Sequence, residues 1–348
     1  MTLADVFGVE LSIVQAPMAG VQAHDMTVAV SNAGGLGSLP CAMLNPAALK
    51  GELEQIRRKT ARPYLLNFFC HEPPVSDDAR AAKWRRALAP YYAEYGIDAS
   101  AVPAGPGRAP FDHAFADVLE QSPPPVVSFH FGLPPAELLS RVRAWGTKII
   151  GCATSVEEAV WLEARGVDAI VAQGFEAGGH HGCFLGDPSS LTGTFALVRR
   201  IVGAVEVPVI AAGGIADARG VAAAMALGAA GVQVGTAFLL CSEATTSAVH
   251  RAALQGAAAQ HTMLTNVFTG RLARGILNRL MRELGPVSEC VMEFPLAASA
   301  LAPLRAAAEK TGSGDFSPLW CGQNATGCKA IPAAELLIEL ADGLRSST

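Results

Sequence analysis

Two histidines follow a glycine pair in AQGFEAGGHHGCF, residues 172–184. Histidine titrates near neutrality and is the usual proton-transfer group. Gly178 and Gly179 would let the loop pass close to a flat ligand and deliver His180 over it, ahead of His181. Gln173, at the end of an apolar run, carries an amide that can donate and accept along the edge of a heterocycle. A turn with two solvated histidines is the plainer alternative, and it weakens because the loop starts at a strand end.

A second constellation lies in VPVIAAGGIADARGVAAAMALGAAGVQVGTAFLL, residues 207–240. One apolar strand runs into Gly213-Gly214 and a helix start at Asp217, and the next ends in Gly235-Thr236. Missing side chains admit a ligand to the backbone, and free amides with a helix dipole favour an anion. One glycine pair could simply make a tight turn. Two such ends on successive strands point to a phosphate cradle.

These groups need elements to hold them. Candidate strands are Leu11–Pro17, Gly35–Leu39, Tyr64–Phe69, Val126–Phe131, Lys148–Cys152, Ala169–Gln173, Val207–Ala212 and Gly231–Gly235. Helical segments stand between most of them: Pro46–Lys59, Pro135–Trp145, Ser155–Arg165, Thr192–Val202 and Asp217–Leu227. Strands apolar along their length are covered on both faces by crossover helices. Eight such units predict an α/β fold, a (β/α)8 TIM barrel, with an open doubly wound sheet as the alternative. Barrel chemistry sits at strand C-termini, which nominates Pro17, Met18, Asn67, Phe68, His130, Gln173, Gly213, Gly214, Gly235 and Thr236.

Of these, Met18 reads equally as a cover on an aromatic group or as core filler. Asn67 places an amide in an apolar strand end, where it needs a partner. SFHFG (128–132) carries His130, and TGRLARGILNR (269–279) carries Arg271, Arg274 and Arg279. Such an arginine run serves as a solvated helix face or clamps a substrate carboxylate. Three glycines in SNAGGLGSL (31–39) suit close packing.

Residues 1–244 are expected to form the barrel, with a Pro/Gly-rich, partly helical insertion at 71–125. Residues 245–317 would make a small, mainly helical capping domain, and 318–348 would return to the barrel and close it with a helix at 333–345. The chain of 348 residues is 51% hydrophobic and 16% charged, which excludes a disordered protein. A net charge of −5 leaves no electrostatic footprint for nucleic acid or an anionic membrane. Eight cysteines without C-x-x-C spacing exclude a zinc ribbon, and no metal is expected. The N-terminus lacks the pattern of a signal peptide, so a cytoplasmic location is expected.

QAPMAG, SNAGGLGSL, NFF, SFHFG, QGFEAGGHHG, AAGGIADARG and QVGT occur in this order, and LWCGQ follows at 319–323. Together they resemble the nitronate monooxygenases, formerly 2-nitropropane dioxygenases. The resemblance implies non-covalent FMN on Asn67, Gln173, Gly178, Gly214 and Gln233, Val234, Gly235 and Thr236, with the phosphate on Gly214, Gly235 and Thr236. It puts His180 on the family's catalytic histidine. The implied reaction oxidises alkyl nitronates, of the propionate 3-nitronate type, with O2 to a carbonyl compound and nitrite. The partners would be that small molecule and O2, and a homodimer is compatible. His181 stands where many relatives have arginine, and no tyrosine follows Tyr95. Alternatives on the same barrel are an FMN-dependent, NADH-using enoyl-[acyl-carrier-protein] reductase and an NADH:quinone reductase. A non-catalytic flavin or phosphate-ligand binder and a colourless barrel isomerase belong to other classes.

Overall fold

The computed structural model describes residues 2–75, 77–99, 102, 108–186 and 190–345. Its strands are β1 (Ile13–Gln15), β2 (Gly37–Pro40), β3 (Tyr64–Phe69), β4 (Val126–His130), β5 (Lys148–Ala153), β6 (Ala169–Gln173), β7 (Gly179–His180), β8 (Val209–Ala212), β9 (Gly231–Val234), β10 (Thr262–Thr265) and β11 (Ala273–Ile276). Eight of them form one parallel sheet in the order β1-β9-β8-β6-β5-β4-β3-β2. A parallel bridge between Val14 and Leu36 joins the first and last strands, with Gln15 N donating to Leu36 O at 3.0 Å and Leu36 N to Ile13 O at 2.9 Å. The result is a closed barrel with helices between its strands, and the eight strands are those expected, with ends shifted by at most two residues.

Side chains alternate across each strand, so its residues divide between two cores. Val14, Leu65, Val126, Ile150, Val171 and Ile210 fill the barrel interior, joined by Leu3 and Phe7 of the first helix (Leu3–Phe7). That helix stops the N-terminal end. A Cβ at Gly231 would stand 2.4 Å from Leu3 Cδ1. Ile13, Leu66, Val127, Ile149, Ile170, Val209 and Val232 point outward to the helices.

Helix Pro46–Lys59 shows why those helices form and dock. Asn45 caps it by accepting from Ala48 N at 2.8 Å, and proline opens the first turn, where its missing N–H costs nothing. Leu49, Leu53 and Ile56 then recur on one face and are buried. Each such side chain contributes about 1.5–3 kcal/mol on leaving water. Asp217 caps helix Ala218–Ala226 by accepting from Gly220 N at 2.8 Å.

A second hydrophobic core lies outside the barrel. Trp84, Leu88, Tyr91 and Tyr92 of helix Asp78–Glu94 pack with Val267, Leu280, Met281, Leu301, Leu304 and Phe316. Tyr92 Oη donates to Ala300 O at 2.6 Å, and Arg279 grips both carboxylate oxygens of Glu94 at 2.7 and 2.8 Å. The insertion and the segment after the last barrel strand therefore share one core. That segment is less helical than expected: β10 and β11 pair antiparallel, and β11 pairs with β7, the histidine loop itself. Part of the Pro/Gly-rich run, residues 103–107, lies outside the described residues. No helix among the described residues is long and apolar enough to cross a membrane.

Candidate active site

The inward series of four strands turns polar toward the C-terminal end: Asn67 on β3, Ser128 and His130 on β4, Gln173 on β6 and Gln233 on β9. These side chains line one cavity at the barrel mouth, with Pro17, Met18, Gly178, Gly179, His180, Gly213, Gly214, Gly235 and Thr236. Val234 does not line it. The two-residue period turns this side chain outward, where it is buried against the helices.

Beyond β8, Gly213 and Gly214 adopt φ of +116° and +73°, which favours glycine. Among the described residues the backbone amides of Gly213, Gly214, Gly235 and Thr236 donate to no protein acceptor. Four amides in one cavity, ahead of a capped helix, make an anion cradle. The C-terminal segment straps this corner: Gly322 N donates to Thr236 Oγ1 at 2.9 Å, and Asn324 Nδ2 to Gly214 O at 3.1 Å. Gly178 is needed for that strap, because a Cβ there would lie 2.5 Å from Gly322 N. Gly179, at φ +71°, faces open space.

The histidine loop is held by its backbone. Gln173 Nε2 donates to His180 O at 3.0 Å, and Gln173 Oε1 accepts from Gly182 N at 2.8 Å. His130 Nε2 also donates to His180 O, at 3.1 Å. Gln173 thus holds the loop with its amide while still lining the cavity. Asn67 likewise donates to Ser128 Oγ at 2.9 Å.

Thr269, invisible to sequence reasoning, sets the tautomer of His180. Its Oγ1 lies 2.9 Å from His180 Nε2 and its hydroxyl reaches Arg271 O at 3.3 Å; with the hydroxyl on Arg271 O, Nε2–H donates to Oγ1. Nδ1 keeps its lone pair and has no hydrogen-bond partner among the described residues. Burial, then the positive charge of Arg108 and Arg271 and the nearness of His130 and His181, holds the His180 pKa well below its usual value. The ring is therefore neutral at physiological pH and can accept a proton. Trp320 and Phe294 stand edge-on to it, each at 5.4 Å between ring centres.

Three expected substrate contacts fall outside the cavity. His181 is buried, its ring nitrogens have no well-formed hydrogen bond, and burial pushes its pKa down to about 3. Arg271 donates to Cys183 O and lies 3.9 Å from the Phe131 ring centre. Arg274 is buried and donates to Phe175 O at 3.0 Å and Thr262 Oγ1 at 3.2 Å. Both arginines tie the cap to the loop. Arg108, which sequence reasoning passed over, is the arginine that does line the cavity.

Comparison with known proteins agrees with this architecture. The family model described as nitronate monooxygenase matches residues 1–343. A nitronate monooxygenase of Pseudomonas aeruginosa is 42% identical over 97% of this chain and 97% of its own. The crystal structure of a nitroalkane oxidase from Streptomyces ansochromogenes superposes with a TM-score of 0.90 at 36% identity, covering 99% of this chain and 98% of that one. FabK from Thermotoga maritima superposes at 0.73 and 27% identity, covering 100% and 97%. The chain belongs to the nitronate monooxygenase family.

Proposed function

We propose that the chain oxidises alkyl nitronates with O2 to a carbonyl compound and nitrite, using non-covalently bound FMN. One observation carries the reading: four unused backbone amides and a neutral histidine with a free lone pair share one cavity at the barrel mouth. Gly213, Gly214, Gly235 and Thr236 would hold the phosphate, a dianion that needs several donors. Pro17, Met18, Asn67, Gln173, Gly178, Gly179 and Gln233 would border the remainder. FMN, when bound, supplies the electron transfer and the reaction with oxygen, which no side chain of the chain can provide.

The chain's own part is binding, orientation and proton transfer. His180 Nδ1 takes the α-proton when the substrate arrives as a neutral nitroalkane. A nitronate has already lost that proton, so it needs only to be seated. With Nε2–H committed to Thr269, the neutral ring has no proton for the nitro oxygens, which favours the role of base over that of hydrogen-bond donor. Phe69, Phe294 and Trp320 narrow the wall around His180 and limit water.

Nitrite release and NADH oxidation, followed in the same aerobic preparation, test this. The expected result is nitrite from a nitronate with no NADH present. Fast NADH oxidation without nitrite would assign the chain to the reductases built on the same barrel.

A further inference from the structure

Arg108 is a cation without a counter-ion. Among the described residues no carboxylate lies within 4.0 Å of its guanidinium, and its side chain donates no hydrogen bond to the protein. Three other arginines that are at least partly buried spend donors on the protein: Arg251 on four carbonyls, Arg274 on Phe175 O, Arg279 on Glu94. Burial alone pulls the Arg108 pKa down to about 10, still leaving it charged at neutral pH. A half-buried guanidinium that lines the cavity, with its donors unspent on the described protein, is placed to receive an anion.

Its position says which anion. The guanidinium carbon is 5.9 Å from the ring centres of both Phe69 and Phe294. The same two rings flank His180, at 6.0 and 5.4 Å. His71 Nε2 donates to Arg108 O at 3.0 Å and anchors that backbone. Phe69 ends β3, which the strand order sets diametrically across the barrel from β8 and its Gly213-Gly214 end. Arg108, beside Phe69, is therefore on the side of the mouth opposite the phosphate cradle, where its two rings also flank the base. A wall of phenyl rings beside one planar fork suits a small carboxylate, which guanidinium pairs with bidentately.

We propose that Arg108 is a specificity determinant that binds a carboxylate carried by the substrate a few bonds from its nitronate carbon, selecting carboxylated nitronates over plain alkyl ones. The inference rests on the proposed nitronate chemistry. Propionate 3-nitronate and propyl-1-nitronate are matched probes, since a methyl replaces the carboxylate. Arg108→Met lowers the ratio of their kcat/KM values by about 10- to 100-fold, the worth of charged hydrogen bonds, and Arg108→Lys restores part of it. Flavin content reports whether each variant is folded. An unchanged ratio, or an equal fall on both probes, overturns the proposal. Succinate binding to the flavin-loaded protein, read from the flavin absorbance, gives a second measure: Arg108→Met weakens it by a similar factor, and unchanged binding again counts against the site. Should the wild type yield no nitrite from either probe, the nitronate reading fails, while succinate binding still tests the anion site.

Discussion

His180→Ala lowers turnover of a neutral nitroalkane by about 10²–10⁴-fold, the usual contribution of a positioned general base, and leaves the flavin in place. The fold separates the two effects. The loop is pinned through His180 O, by Gln173 and His130, and through Gly182 N, none of which needs the imidazole. Supplied as the preformed nitronate, the substrate loses far less, because its α-proton is already gone. In the wild type the acid limb of kcat/KM falls below the ordinary histidine pKa of about 6.5, since the depressed pKa keeps Nδ1 unprotonated at lower pH. A variant that lost flavin yet kept its nitroalkane turnover would remove His180 from the chemistry.

Acidification from pH 7 to pH 5 destabilises the fold by about 6 kcal/mol. His130 and His250 are pushed down to about 4 and His181 to about 3, each by burial first. Arginine charge adds to it, from Arg271 at His130, Arg274 at His181 and Arg305 at His250, while the backbone hydrogen bonds of His130 to His180 and of His250 to Trp320 act the other way. The unfolded chain takes up these protons near pH 6.5 and the folded chain does not, so stability falls as pH drops through the interval from 6.5 to about 4. At pH 5 each group lies about 1.5 units below its unfolded pKa, worth about 2 kcal/mol at 1.36 kcal/mol per unit. His71 and His180 shift in the same direction. The total rivals the 5–15 kcal/mol, roughly, that holds a domain folded. Urea midpoints at the two pH values, read by tryptophan fluorescence, check this. Equal midpoints would mean that these histidines are not buried and neutral.

The barrel was legible because parallel strands covered on both faces leave short apolar runs, and all eight were readable on that ground. Strand ends indicated the lining residues apart from Phe68, which the two-residue alternation turns outward into the helix-facing core; Val234, implied by the family resemblance, is turned outward in the same way. Arg271 and Arg274 were misread for a related reason. Their three-residue spacing suits one helix face, but Arg274 belongs to β11 and both spend their donors on backbone carbonyls. Arg108 escaped notice because it sits in a Pro/Gly-rich stretch with no periodicity, and only the folded chain brings it beside Phe69 and Phe294. Thr269 meets His180 across 89 residues, a separation that no local pattern reports.

The central claim is that main-chain nitrogens beyond β8 and β9 hold the flavin by its phosphate. Comparing the affinities of the flavin-free protein for FMN and for riboflavin, which lacks only that group, tests it most directly. The cradle predicts that FMN binds more tightly by at least about 100-fold, as charge-assisted hydrogen bonds to several amides require, and that Gly214→Val narrows the gap. Equal affinity for the two in the wild type would contradict the account.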